Sequence, residues 1–329
     1  MATYKEIFGT NIEVLASDPA NPVEGQVWFN STDNVVKGFG VTGIGAWATG
    51  GSLNQARSHF QGGGGNSNSS ALAVAGFPAY YTNTETYNGS AWTEVNDLNA
   101  GKGFATTSGT QTSAINCAGA NATGSVATSE SWNGTCWTAL NPVNTARNQV
   151  ASGGADNTSA LLFGGYAPPI TFAALTESYN GTSWSEVADL NTARYVLAGA
   201  GIATSALAYG GDGSAPGYQG ETESWNGTCW SEVADLNTAR FGMASTNGTD
   251  NTSALSSGGE QPGVGVVALT EEWNGTSWTE VADLSTSRYA IGGAGTANNA
   301  IAFGGNPTTG ATEEWNGLGS PTTVTFTSS

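Results

Sequence analysis

The chain of 329 residues has one histidine, three cysteines, two methionines, and only eight Lys and Arg against 26 Asp and Glu. Each shortage removes a class of function. At a formal net charge of −18, too few cations are present to neutralise a run of phosphates, so no nucleic-acid partner is expected. An anionic membrane surface is disfavoured for the same reason. No stretch is long and apolar enough to span a bilayer, and Met1–Leu15 lacks the basic start and apolar core of a secretory signal. One imidazole, His59, and three scattered cysteines offer no zinc spacing. A Ser-His-Asp triad would have to use His59, and nothing like a nucleophile elbow surrounds it. The run Gly62–Gly65 is followed by Asn and Ser rather than Lys, which makes it a loop and not a phosphate cradle. No cofactor is expected. Loop carboxylates such as Asp212 and Asp250 leave calcium open, although no EF-hand ladder is present.

Glycine, by contrast, is abundant at 48 residues, and a repeat organises the chain. Thr222–Arg240 (TESWNGTCWSEVADLNTAR) has close copies beginning at Thr84, Ser129, Thr176 and Thr270, with a shortened one at Thr312. The Asn of its Asn-Gly pair falls at 88, 133, 180, 226, 274 and 316, a period of 42 to 48 residues. Such a period marks a stacked or circular array of one supersecondary unit. Polar and apolar residues alternate in Thr222–Trp225 and again in Cys229–Val233, the pattern of two strands. Asn226-Gly227 between them demands a tight hairpin, because a type I′ turn needs positive φ at both central residues. Each unit adds an apolar stretch ending in two glycines, as in Leu207-Ala208-Tyr209-Gly210-Gly211, and a segment after each Arg such as Phe241–Ser245. Four short strands in about 45 residues is one propeller blade.

The succession of Arg, a strand ending in Gly-Gly, Glu-x-Tyr/Trp, and a Trp about five residues on resembles the kelch repeat. The resemblance covers roughly residues 46–317 and departs from kelch in its short Asn-Gly turn. It implies an all-β, kelch-like β-propeller; kelch proteins include enzymes, adhesins and scaffolds, so no activity follows from it. Six glycine pairs or their degenerate forms predict six blades, with seven if Val27–Phe39 supplies another. The last Glu-x-Trp-Asn-Gly (Glu313–Gly317) lacks the Trp strand that follows it elsewhere. Ala46-Trp47-Ala48 is expected to supply that strand and close the ring, which removes exposed sheet edges. The domains read as an N-terminal arm and β-hairpin over 1–45, the propeller over 46–317, and a C-terminal strand or tail over 318–329.

The repeat also places Arg57, Arg147, Arg194, Arg240 and Arg288 at one position, with Lys102 at the sixth, and Glu85, Glu130, Glu177, Glu223, Glu271 and Glu313 at another. One cation and one anion per unit predicts structural ion pairs within or between blades, which set register more than they add stability. These arginines are therefore unavailable to converge on an acidic sugar as in a sialidase, and the Asp-box likeness of Ser224–Trp230 is loose. A kelch-type copper oxidase needs at least two imidazoles. The expectation is a protein that is not an enzyme. Cys136 and Cys229 stand where other repeats carry Ser183 and Ser277, two blades apart and too far for a disulfide. Five Asn-Gly turns double as glycosylation sequons, a coincidence that hairpin and strand preferences already explain.

Function should then lie on a surface. In a four-stranded meander the loops after each Gly-Gly share the face opposite the Asn-Gly turns, and these loops differ between repeats. They carry Tyr80, Tyr81, Tyr166, Phe172 and Tyr218, candidate recognition residues for sugar rings or protein. Ordinary loop drift, with aromatics capping the blades, is the alternative.

The turn-rich stretch Ala16-Ser17-Asp18-Pro19-Ala20-Asn21-Pro22 joins Met1–Leu15 to the hairpin Gly25–Asn30 and Val35–Phe39. The run DPANPVEGQVWFN…VVKGF resembles the opening of structural proteins of tailed phages, especially marine ones. The resemblance implies a virion location after assembly in the bacterial host cytoplasm, with Tyr4, Ile7, Phe8, Trp28 and Phe29 as candidate anchors onto other virion proteins. The expected function is a non-catalytic virion structural protein, of tail fibre or capsid decoration, for host attachment. A kelch lectin outside any virion, and an enzyme acting on surface glycans, are the alternatives. A homo-oligomer is compatible with this reading, but no coiled-coil heptads specify a trimer.

Overall fold

A computed structural model describes residues 12–22, 26–40, 45–60, 62–169, 171–213, 217–317 and 322–326. The described residues contain strands, turns and loops but no helix. They fall into two compact units, one of residues 46–316 and one drawn from 1–45 and 317–329.

The larger unit contains six four-stranded antiparallel sheets, an architecture consistent with a β-propeller. Five of them are meanders whose strands pair in chain order, three with one or two short extra strands between the second and third. The fourth repeat is typical: Ala198–Ile202, Ser205–Tyr209, Thr222–Trp225 and Trp230–Val233 lie side by side in that order. The sixth sheet draws on two distant parts of the unit, Gly292–Thr296, Asn299–Phe303 and Thr312–Asn316 being followed by Ala46–Gly50, with Trp47 opposite Trp315.

Local chemistry explains the hairpins. The outer one is not the expected two-residue type I′ turn: only Gly227 takes positive φ (91°), the loop runs over Asn226–Cys229, and Asn226 Oδ1 accepts the N–H groups of Thr228 (2.9 Å) and Cys229 (3.0 Å). Trp225 and Trp230 face each other across the pair with ring centroids 5.4 Å apart. The inner strands are built of Gly, Ala, Ser and Thr because neighbouring sheets approach closely there. A Cβ on Gly199 would stand 2.7 Å from the Phe163 ring and 3.0 Å from the Ser152 carbonyl. The Gly-Gly pair has a conformational cause: Gly210 and Gly211 take φ 61° and 108°, and only glycine tolerates the second value.

Neighbouring sheets are joined by bonds that recur around the set. The first strands of successive sheets lie beside one another, and Gly292–Thr296 lies beside Gly64–Ser67. The second glycine of each pair donates its N–H to the carbonyl of the next repeat's Arg or Lys, as from Gly211 to Arg240 at 3.0 Å. The same bond runs from Gly305, in the last repeat, to Arg57, in the first, at 3.1 Å. Fourth-strand tryptophans form another set. Trp137, Trp230, Trp278, Trp47 and Trp92 donate to the hydroxyls of Thr84, Thr176, Thr222, Thr270 and Thr312, each on the preceding sheet, at 2.9 to 3.2 Å.

The fifth sheet departs from the pattern. Its first strand is only Ala244–Ser245, shorter than the segment expected over Phe241–Ser245, because the chain turns inward at Thr246. There the buried Asn247 donates its side-chain amide to the carbonyls of Gly63 (2.6 Å), Gly65 (3.2 Å) and Gly109 (3.1 Å). Its own carbonyl accepts from Gly201 at 2.5 Å, and Gly248 donates to Gly295 at 3.1 Å. Asn247 and Gly248 thus connect the inner edges of the first, second, fourth and sixth sheets to the fifth.

The smaller unit is a four-stranded sheet of its own. Glu13–Leu15 runs parallel to Val27–Asn30, which is hairpin-paired to Val35–Gly40, and Thr322–Phe326 adds on the far side. The hairpin over 27–40 therefore gives no strand to the six repeat sheets, and the C-terminal strand is part of this sheet rather than a separate piece. Trp28 is fully buried and donates its indole N–H to Asp18 at 3.0 Å. The same carboxylate group accepts from Lys37 and Asn30, which together pull its pKa below the usual carboxylate range. Trp28 is therefore a core residue and no exposed anchor; Phe29 is half-buried. Tyr4, Ile7 and Phe8 lie outside the described residues.

Candidate binding face

The recurring Arg and Glu organise the linkers that lead to the face carrying the Gly-Gly loops. Arg57–Glu85 (2.5 Å), Arg147–Glu177 (2.7 Å), Arg194–Glu223 (3.2 Å), Arg240–Glu271 (2.5 Å) and Arg288–Glu313 (2.9 Å) are all buried ion pairs. Each joins the linker before a sheet to that sheet's third strand. The glutamate also receives linker N–H groups, as Glu271 does from Asn237 (2.7 Å) and Thr238 (3.3 Å). Burial pulls each arginine below its ordinary pKa, and the partner carboxylate opposes that shift. The second repeat differs. Lys102 Nζ reaches the carbonyl and hydroxyl of Thr128, at 3.2 and 3.3 Å, and makes no ion pair with Glu130 among the described residues. Glu130 still accepts the linker N–H of Asn99 (2.9 Å), as the paired glutamates accept theirs, and burial lowers Lys102 to a pKa of about 8.

Beyond each cation come two residues that build the face. The first bridges to the loop after that sheet's Gly-Gly or its equivalent, as in Ser58 with Phe77, Asn148 with Tyr166, and Phe241 with Glu260. The second takes positive φ in every repeat: His59 (58°), Phe104 (58°), Gln149 (55°), Val196 (52°), Gly242 (68°) and Ala290 (54°). These six residues hydrogen-bond to one another through their backbones. Phe104 donates to His59, Gln149 to Phe104, Val196 to Gln149, Gly242 to Val196, Ala290 to Gly242, and His59 to Ala290, at 2.7 to 3.1 Å. The cycle returns to its start, and the left-handed conformation of each member aims its N–H at the neighbour. His59 is therefore a member of this ring and not of an inner strand; burial lowers its pKa to about 4.

Aromatic side chains cluster around this cycle. Tyr80 packs on Phe77, Phe77 on Phe104 and His59, His59 on Tyr289, Tyr289 on Phe241, and Phe241 on Tyr218, with centroids 4.6 to 6.2 Å apart. Tyr166 and Phe172 flank Tyr195 instead, at 6.5 and 5.5 Å. Tyr81 stands apart, its hydroxyl accepting from Gln55 at 3.3 Å. Tyr80 and Tyr218 thus join one chain of rings, Tyr166 and Phe172 a second cluster, and Tyr81 neither. Sequence reasoning missed Phe104, Tyr195, Phe241 and Tyr289. A signal existed, because Tyr195, Phe241 and Tyr289 follow the cation directly and Phe104 comes one residue later, at positions that vary where the rest of the repeat does not.

The second cluster opens onto a cleft of about 390 Å³ lined by Phe104, Asn148, Gln149, Tyr166, Thr171 and Tyr195. A second, more polar depression of about 480 Å³ lies between Tyr218 and the hairpin Glu260–Gly265. No three His, Cys, Asp or Glu side chains group as a metal site among the described residues. No protein-family model and no curated protein matches the chain.

Proposed function

We propose that the chain is a six-bladed, kelch-like β-propeller closed by Ala46–Gly50, and that it serves as a non-catalytic attachment protein of a tailed-phage virion. Closure is supported by the three bond sets that run from the last repeat back to the first: the backbone cycle, the Gly-to-Arg bonds, and Trp92 to Thr312. The virion assignment rests on the phage-like segment over 18–39. The observation that carries it is that this segment forms, with the C-terminal strand, a sheet apart from the repeats. A unit that gathers strands from before and after the repeats suits a mounting piece for other virion proteins, while the repeat unit offers an aromatic face for a host-surface glycan or protein. That face also favours a second reading, a lectin acting outside any particle.

Immunogold labelling of purified particles with antibody against the repeat unit separates the two. Gold on tail or fibres supports receptor contact, and gold over the head supports decoration. Particles without gold overturn the virion assignment in favour of the lectin.

A further inference from the structure

We propose that the cleft between Phe104, Gln149, Tyr166 and Tyr195 is a binding site for a neutral sugar ring, a reading that rests on the attachment role above. The lining supplies what a pyranose needs. Three aromatic rings offer apolar faces for its C–H surface. Hydroxyl groups of the sugar require side-chain donors and acceptors that are not already committed. No described residue hydrogen-bonds the side chains of Gln149, Tyr166 or Thr171, and all three line the cleft. Asn148 has its amide N–H on Ser125 at 2.8 Å, which leaves its carbonyl oxygen available. The volume of about 390 Å³ falls in the range of roughly 300–1,000 Å³ in which small ligands are held.

Charge selects among sugars. No lining side chain carries a formal charge. The lining touches one charged group, Asp212, whose carboxylate accepts from the Tyr195 hydroxyl at 3.0 Å. All five arginines are buried in ion pairs, and Lys102 is buried with its Nζ on Thr128. A uronate or sialate would therefore find no cation in the lining to pair with its carboxylate, whereas a neutral hexose meets amides, hydroxyls and apolar side chains. The ring backbone makes the site rigid: Phe104 and Gln149 are consecutive members of the hydrogen-bonded cycle. Preorganisation of that kind lowers the cost of binding.

Titration calorimetry of the full-length protein tests this with neutral tetrasaccharides of glucose, galactose, mannose and xylose, beside sialyllactose and oligoalginate. The expected result is binding to at least one neutral probe, with affinity unchanged between low and physiological salt, and none to the acidic probes. Gln149→Ala and Tyr166→Ala should each weaken binding about tenfold or more, the loss of a hydrogen bond or a stacking face, while Tyr81→Ala leaves it unchanged. Binding only to acidic probes, binding insensitive to both cleft variants, or binding to none of the probes overturns the proposal. Particle labelling reads independently of this. Gold on particles without sugar binding retires the cleft alone, and sugar binding without gold retires the virion assignment alone.

Discussion

Trp184 Nε1 and Ser129 Oγ are both buried and both lack a hydrogen-bond partner among the described residues, at the one place in the six repeats where serine replaces the threonine that receives a neighbour's tryptophan. The five equivalent bonds are made. The contact between the second and third sheets therefore lacks a rung that every other contact in the set has.

Ser129→Thr should restore it. The expected gain is about 1 kcal/mol, the net worth of one buried hydrogen bond plus a methyl group. Urea unfolding should show a higher midpoint at unchanged slope. The reverse change, Thr176→Ser, should lower the midpoint by a similar amount.

The Arg240–Glu271 pair gives a second prediction. Arg240→Met leaves Glu271 buried but still accepting the linker amides of Asn237 and Thr238. Glu271→Leu strands those donors and the guanidinium together. Breaking a buried pair costs about 3–5 kcal/mol, and Glu271→Leu should be the worse of the two. Equal losses in denaturant unfolding would show that the carboxylate's role in the linker is negligible.

Asn247→Ala should cost about 2–4 kcal/mol, because three inner carbonyls lose one donor and gain none. Asn247→Asp should cost more, since it sets a carboxylate against those same oxygens. Thermal unfolding of the two variants checks the order.

Acid titration probes His59. Burial among Phe77, Phe104 and Tyr289 lowers its pKa to about 4 from 6.5. Between these values the unfolded chain binds the extra proton, so stability is full above pH 6.5 and falls as pH drops toward 4. The loss should be roughly 3 kcal/mol. In His59→Gln that part of the slope should vanish, and the difference between the two proteins' stabilities across this window is the measurement.

The sequence announced the sheets more readily than the face. Period-2 alternation and Asn-Gly turns are local signals, and the four-stranded sheets follow them. The Gly-Gly pairs pointed to a strand end, and their paired positive φ values agree with that. What stayed hidden depends on assembly. His59, Phe104, Gln149, Val196, Gly242 and Ala290 share a conformation and a bonding pattern but no chemistry, because the cycle uses only backbone atoms. Asn247 looks like one more loop asparagine, and its role follows from a shortened strand that turns inward. In the candidate site, Tyr166 and Phe172 were legible as loop aromatics. Their partner Tyr195 sits beside a repeat cation, where periodicity hid it among structural residues. Trp28 shows the opposite error, since a tryptophan near a chain end invites a surface role that its complete burial denies.

Everything proposed for the face depends on the backbone cycle being continuous across the junction of last and first repeats, where His59 donates to Ala290 at 2.9 Å. Hydrogen exchange of the six cycle amides tests this most directly. The closed ring predicts that the His59 amide is protected as strongly as those of Phe104, Gln149, Val196, Gly242 and Ala290, all exchanging through one shared opening. A His59 amide that exchanges far faster than the other five would mean an open ring, and would contradict the account.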